Sequence, residues 1–224
     1  YSYAHKWFAK VKAADVPKAA LPEFYFNKGY TLFNKKKYPQ AKVLLENVKF
    51  NPKYESDAHY YLGHIAYQSE DYAGASNSFT QVSKKDQMEN LGYFQVEMNF
   101  KLGRFEKAIE LGEKEIQNQA GDNFSELSKI IGESYFNIGQ YGKALNHLKN
   151  YMGKMGKWTH EDFYQLGYAY YETGNYSQAI DQFNKIISKK DKLAQNAYYY
   201  LAECYLKKER KTSALNAYRS AASM

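Results

Sequence analysis

The sequence predicts an all-α fold in which antiparallel helix pairs stack on one another as an α-solenoid. The first observation is a periodic alanine, recurring at intervals of 34, 33, 36, 35 and 35 residues at Ala41, Ala75, Ala108, Ala144, Ala179 and Ala214. The second is the pattern around each alanine, where a short polar turn separates two amphipathic stretches. A period of this length is typical of a helix-turn-helix array, because each unit can bury its apolar face only against its neighbours.

The clearest unit lies between residues 163 and 183, and it provides the template for the others. Two amphipathic stretches flank a turn at Gly174 and Asn175, which predicts two helices joined by a tight connection. Gly167 and Ala179 are small, so we expect the helices to approach closely there. The side chains expected to fill the space around this crossing are Leu166, Tyr170, Tyr176 and Phe183.

Laid along the chain in order, the template defines six repeats preceded by part of another. The predicted repeats are residues 22–55, 56–88, 89–124, 125–159, 160–194 and 195–224, which together with residues 1–21 would form one solenoid domain spanning 1–224. Residues 1–21 match the second helix of a partial repeat, and both ends suggest a segment taken from a longer protein. The alternative is that residues 1–21 form a natural terminal cap.

The third repeat departs from the template. Val96 stands at the small crossing position, and Gly112 stands where a large side chain is expected. Because glycine in a helix costs about 1 kcal/mol relative to alanine, we expect the second helix of this repeat to be the weakest.

This pattern resembles the tetratricopeptide repeat (TPR), which has an aromatic residue, Leu-Gly, Tyr, Ala and a second aromatic at these spacings. The resemblance implies a right-handed solenoid of about six repeats that binds other proteins. Two phrases, Ala197–Tyr205 and Ala179–Ile187, look like those of bacterial cell-envelope TPR proteins associated with outer-membrane assembly and cell division. That likeness favours the periplasm or cell envelope over the cytoplasm.

The sequence does not group the residues that catalysis, a metal or a cofactor would require. The five histidines, His5, His59, His64, His147 and His160, have no metal-ligand spacing. Cys204 lies beside a crossing alanine and is expected to be a small buried residue. The glycines follow the crossings and turns and form no phosphate-binding loop. We therefore predict a protein that is not an enzyme and carries no cofactor and no metal.

The charge pattern does not indicate a nucleic-acid partner. Of the 31 basic residues only three are arginines, and the net charge of +7 is spread over turns on both edges of the array. Nucleic-acid binding would favour a continuous basic face, so we expect none. No apolar run reaches the roughly 18 residues that a membrane span needs.

The first helices of TPR arrays line the concave face, and the resemblance places aromatic residues there in this chain. The implied groove residues are Phe26, Tyr30, Tyr60, His64, Tyr93, Glu97, Lys129, Glu133, Tyr164, Tyr168, Tyr199 and Glu203. Tyrosine is enriched at binding hot spots, so the predicted ligand is a peptide or protein segment. The Lys and Asn clamp that some TPR domains use for chaperone tails is not matched.

The sequence leaves two alternatives to binding in the groove. Aromatic residues at helical spacing are often core, and those at the twelfth repeat position could pack between repeats. The second function considered is a structural spacer or self-association segment of a larger protein, with no ligand of its own.

Overall fold

The computed structural model describes residues 6–8, 10–83, 90–118 and 123–224. These residues form α-helices and short 3-10 turns with no β-strand among them, which confirms the predicted all-α class. The helices, in chain order, are α1 Leu21–Asn34, α2 Tyr38–Glu46, α3 Glu55–Gln68, α4 Tyr72–Thr80, α5 Leu91–Lys101, α6 Phe105–Asn118, α7 Phe124–Asn137, α8 Tyr141–Leu148, α9 His160–Glu172, α10 Tyr176–Phe183, α11 Lys192–Lys207 and α12 Lys211–Ala222.

Consecutive helices pack as pairs, and the chain divides into two compact units, Tyr1–Gly103 and Arg104–Met224. In the first unit α1 packs on α2 and α3 on α4, while α1 also contacts α3 and α5 packs on α4. In the second unit the pairs are α7 with α8, α9 with α10 and α11 with α12, and α6 packs on α7. Within each unit these contacts build a helical solenoid, as the sequence predicts.

The N-terminal segment has helical backbone at residues 6–8 and 10, followed by 3-10 turns at Ala13–Asp15 and Lys18–Ala20. Residues 1–5 and 9 lie outside the described residues. The assignment of residues 1–21 to the second helix of a partial repeat therefore stays a prediction, as do the repeat boundaries and the single domain.

The turn between the two helices of a pair has the same backbone conformation in every repeat. One residue in each turn adopts a positive φ, between 56° and 76°, at Lys36, Glu70, Gly103, Gly139, Gly174 and Glu209. After Gly174, the Asn175 N–H donates to the Tyr170 carbonyl at 2.8 Å, closing the wider ring of a Schellman motif. The polar turn that the sequence places between paired helices is thus a helix C-cap.

Polar side chains fix where several helices begin. The Thr159 hydroxyl accepts the Asp162 N–H at 3.2 Å, and the Asp162 carboxylate accepts the Thr159 N–H at 2.7 Å, which forms a capping box at α9. The Asp191 carboxylate accepts the Ala194 N–H at the start of α11. These bonds satisfy backbone donors that a helix leaves unpaired at its first turn.

Small residues allow the paired helices to approach at their crossings. A Cβ added at Gly63 would lie 2.5 Å from the Phe79 ring, and one added at Gly167 would lie 2.9 Å from the Phe183 ring. Both rings are fully buried, so the missing glycine side chain is replaced by a ring from the partner helix. This confirms Gly167 as a crossing residue and identifies Phe183 as the group it faces.

Candidate functional site

The first helix of each repeat presents three residues on one face, at its fifth, ninth and twelfth repeat positions when Gly167 is counted as the eighth. Residues four and seven apart lie on the same side of an α-helix, which explains the shared face. We call each set of three a socket. The sockets rich in aromatic rings are Phe26, Tyr30 and Phe33 on α1; Tyr60, His64 and Tyr67 on α3; and Tyr164, Tyr168 and Tyr171 on α9.

The socket on α1 receives a ring from the next repeat. The Tyr61 ring on α3 lies with its centroid 5.1 Å from that of Tyr30 and 4.9 Å from that of Phe33. It is also 6.3 Å from Phe26. Burial is the largest cause that raises the pKa of Tyr61, and the neighbouring Tyr30 adds to it, so its hydroxyl stays protonated.

The socket on α3 receives Phe94 from α5 in the same way. The Phe94 ring lies 4.6 Å from His64, 5.4 Å from Tyr67 and 5.6 Å from the buried Phe79. Burial lowers the pKa of His64 to about 4, so the imidazole is neutral at physiological pH. His64 is consequently an aromatic packing residue in this environment.

The socket on α9 receives Tyr200 from α11. Its ring lies 4.9 Å from Tyr168 and 5.2 Å from Tyr171, with Tyr164 at 6.3 Å. Burial, followed by the charge of Tyr200, raises the pKa of Tyr164 to about 12. Three first helices therefore hold an aromatic ring supplied by the following repeat of the same unit.

The socket on α7 combines two charged residues, Lys129 and Glu133, with the aromatic Phe136. Lys129 lies 2.5 Å from the Asp162 carboxylate of the next repeat and 3.8 Å from Glu133 on its own helix. Burial alone would lower the pKa of Lys129, but the Asp162 hydrogen bond and the two carboxylates outweigh it and raise the pKa. The sequence had placed Lys129 and Glu133 in a groove, and the structure shows them engaged with Asp162 and with each other.

Glutamates at the ninth position of two other repeats accept bonds from tyrosine hydroxyls. The Tyr67 hydroxyl donates to Glu97 Oε1 at 3.3 Å, while Oε2 is buried with no hydrogen-bond partner among the described residues. Burial raises the pKa of Glu97. The Tyr218 hydroxyl donates to Glu203, and this bond is the largest cause that raises the pKa of Tyr218 to about 12.

All twelve predicted groove residues lie on first helices. Eleven are partly exposed and Tyr199 is exposed. Within the first unit the structure brings together Phe26 with Tyr30 and, separately, Tyr60 with His64, whose rings are 4.5 Å apart. Tyr93 contacts the neighbouring Phe94 ring. A binding role for these residues stays a prediction.

Sequence reasoning missed the sixth-position residues as the groups that enter the sockets. These residues are Tyr61, Phe94 and Tyr200. Each directly follows a predicted groove residue and lies two positions before the crossing residue of its repeat. The aromatic residue at that position is the available signal, because it turns toward the preceding repeat. The proposal that the twelfth-position aromatics pack between repeats fits the contacts of Phe33, Tyr67 and Tyr171.

The fold and these surfaces define a helical-repeat scaffold. The sequence matches the tetratricopeptide repeat family over residues 60–123 and 164–223, more than half of the chain, so this chain belongs to that family. The TPR fold is generally a non-catalytic scaffold for protein–protein interaction. None of the described helices is long and apolar enough to cross a bilayer.

Solved structures of TPR proteins share the fold at low sequence identity. A crystal structure of MamA is similar with a TM-score of 0.59 and 21% identity, over 75% of this chain and 91% of that one. The C-terminal part of a TPR protein from Cytophaga hutchinsonii gives 0.60 and 17%, over 88% and 77%. A TPR protein from Parabacteroides merdae gives 0.57 and 17%, over 91% and 79%. Among curated proteins, no sequence matches significantly.

Proposed function

We propose that this chain is a non-catalytic scaffold that binds an extended or helical segment of another protein on the first-helix faces of its repeats. The observation that carries the proposal is that the socket rings are held in fixed contacts yet keep part of their surface exposed, as at Tyr164 and Tyr168. Pre-ordered side chains lose little conformational entropy on binding. Tyrosine supplies both apolar area and a hydroxyl to such a surface.

The chemistry of the reactive side chains supports a non-catalytic role. Cys204 is buried, and burial raises the pKa of its thiol to about 12, which disfavours the nucleophilic thiolate. Burial keeps His64 neutral among aromatic rings. Within the described ranges, no group of three His, Cys, Asp or Glu side chains could hold a metal ion.

Site-specific photo-crosslinking in the native host tests the proposal. A photoreactive phenylalanine analogue replaces Tyr93 or Tyr164 on a first helix, and Phe50 in a matched control. Phe50 is 78% exposed and follows a second helix, so an accessible aromatic position away from the socket faces is sampled. We expect crosslinks to a distinct partner protein from positions 93 and 164 and none from position 50.

The same experiment distinguishes the proposed scaffold from the alternative, a structural spacer or self-association segment. Equal crosslinking from position 50, or none from positions 93 and 164, would show that the first-helix faces are not the binding surface. Crosslinks that join only copies of this chain would favour self-association, with no ligand of its own.

A further inference from the structure

Charge in the second unit is sorted by helix type, and the first helices α7 and α9 are acidic. Together they carry five acidic side chains and one lysine, which are Glu126, Lys129, Glu133, Glu161, Asp162 and Glu172. The segments that follow these two helices, residues 138–159 and 173–191, carry seven lysines and two aspartates. The net charge of +7 on the whole chain therefore conceals first helices of the opposite sign.

Each of these two helices places a glutamate one turn ahead of its socket. Glu126 lies three residues before Lys129, and Glu161 lies three residues before Tyr164. Side chains three apart are neighbours on a helix, so both glutamates extend the socket face toward the helix start. Glu161 is exposed and Glu126 is partly exposed, and no ion pair joins either of them to a described cation. Their charge is therefore available to a ligand.

Direct contacts join the two helices into one surface. Lys129 on α7 bonds to Asp162 on α9 near one end, and the Phe136 ring lies 5.6 Å from the Tyr168 ring near the other. Burial, followed by a hydrogen bond with Glu172, raises the pKa of Tyr168, so that carboxylate lies against the Tyr168 hydroxyl. We call the sockets of α7 and α9, together with Glu126, Glu161 and Glu172, the acidic aromatic face.

The single lysine of the acidic aromatic face does not offset its acids. Lys129 lies 2.5 Å from the buried Asp162 carboxylate, so these two charges balance each other. Once that pair is counted, four glutamates remain on the face. The ammonium group among them disfavours a metal ion as the ligand, because like charges repel.

The tyrosine rings of this face are open to a cation. Elsewhere in the unit Lys185 lies over the Phe163 ring, 4.7 Å from its centroid. Among the described residues, no lysine or arginine lies over Tyr164 or Tyr168 in this way. A cation within about 6 Å of an aromatic ring face is attracted to it. The two partly exposed rings therefore offer cation sites that the described part of the chain does not fill.

We propose that the acidic aromatic face recognises a basic segment of the partner protein, with lysine or arginine side chains over Tyr164 and Tyr168 and paired with the surrounding glutamates. Cationic side chains suit both kinds of group, since they lie over aromatic rings and bond to carboxylates. Complementary charge also steers association and selects the partner. This partner chemistry deepens the proposed function and rests on it.

Two synthetic peptides of opposite charge test the proposal. One alternates arginine with threonine and the other glutamate with threonine. Binding of each fluorescent peptide to the purified 224-residue chain is measured by anisotropy at low salt, where charges are least screened. The net charge of +7 favours the glutamate peptide, whereas the acidic aromatic face should bind the arginine peptide about tenfold more tightly or better. Equal binding, no binding of the arginine peptide, or a preference for the glutamate peptide would overturn the proposal.

Matched charge reversals locate the site. Glu161→Lys and Glu106→Lys change the net charge equally, and each alters an exposed glutamate in the first turn of its helix, α9 or α6. Glu161→Lys should weaken binding of the arginine peptide about fivefold, whereas Glu106→Lys, on a second helix, should leave it nearly unchanged. Circular dichroism checks that both variants fold. Equal weakening by the two variants would assign the binding to net charge and overturn the proposal.

The peptide result is separable from the crosslinking result. Partner crosslinks from positions 93 and 164, together with no preference for the arginine peptide, would keep the binding surface and remove its basic ligand. Failure to crosslink at both positions, while the arginine peptide is still selected, would count against the proposed function alone.

Discussion

In each repeat, a single residue with a positive φ forms the turn between the paired helices, and its type determines the free-energy cost of that turn. The residue with positive φ is glycine in three turns but Lys36, Glu70 and Glu209 in the others. A side chain in the left-handed region costs roughly 1–2 kcal/mol, and glycine avoids this penalty. The sequence marked the glycine turns directly, whereas the other three resemble any polar segment, so their conformation follows only from the helices on either side.

Lys36→Gly should therefore stabilise the protein. We expect the free energy of unfolding to rise by about 0.5–1 kcal/mol, since relief of the left-handed strain exceeds the entropic cost of glycine. Lys35→Gly is the matched control, because Lys35 has a φ of -87° and gains no such relief. Urea denaturation of both variants measures the difference, and an equal change in the two would contradict the explanation.

Burial of His64 predicts a dependence of stability on pH. Its pKa falls from 6.5 in the unfolded chain to about 4 in the fold, so between these values the unfolded state binds more protons. His64 thus favours folding fully above about pH 6.5, and this contribution, on the order of 1–3 kcal/mol, is lost as the pH falls toward 4. His64→Phe keeps a ring against Phe94 and should flatten the loss in urea titrations. An unchanged pH profile would show that other groups control it.

At the scale of helices, an inserted ring joins one pair to the next. The sequence predicted the pairs because alanine and glycine spacing reports a close crossing within each pair. It did not predict which aromatics are inserted, because Tyr199 and Tyr200 are identical in chemistry and differ only by the 100° turn between adjacent helical residues. That rotation places Tyr200 among Tyr168 and Tyr171 and leaves Tyr199 exposed.

This difference makes Tyr199 and Tyr200 a matched pair for mutation. Tyr200→Ala should lower the free energy of unfolding by about 2–4 kcal/mol, because truncating a packed aromatic leaves a cavity between α9 and α11. Tyr199→Ala, on the exposed side of the same helix, should cost less than about 1 kcal/mol. Chemical denaturation followed by circular dichroism gives both values. Similar losses would mean that Tyr200 does not join the two pairs.

At the scale of the whole molecule, the boundary between the compact units falls inside the repeat that departs from the template. The division lies between Gly103 and Arg104, so α5 belongs to the first unit and α6 to the second. Two residues made this repeat depart from the template: Val96 is large where a small residue is expected, and Gly112 is small where a large one is expected. The helix α6 nevertheless runs unbroken through Gly112. The periodicity of the sequence could not predict the division. It shows that the repeats are alike, but it does not show how extensively neighbouring helices contact one another.

The two tryptophans report on different units. Trp7 belongs to the first unit, while Trp158 in the second packs 5.2 Å from the Phe163 ring. In a Trp7→Phe variant we expect the fluorescence midpoint in urea to exceed the midpoint from circular dichroism. The second unit contains three complete pairs against two, and repeat stability sums over units and interfaces. Coincident midpoints would indicate a single cooperative transition.

The inserted rings also determine which length changes the chain can accept. One residue added within α11 ahead of Tyr200 would turn its ring by about 100°, away from Tyr168 and Tyr171. A residue added in the loop before Lys192 would leave that rotation unaffected, since loops absorb insertions. Natural or engineered length variation should accordingly collect between pairs or arrive as whole pairs, and be scarce within the first helices.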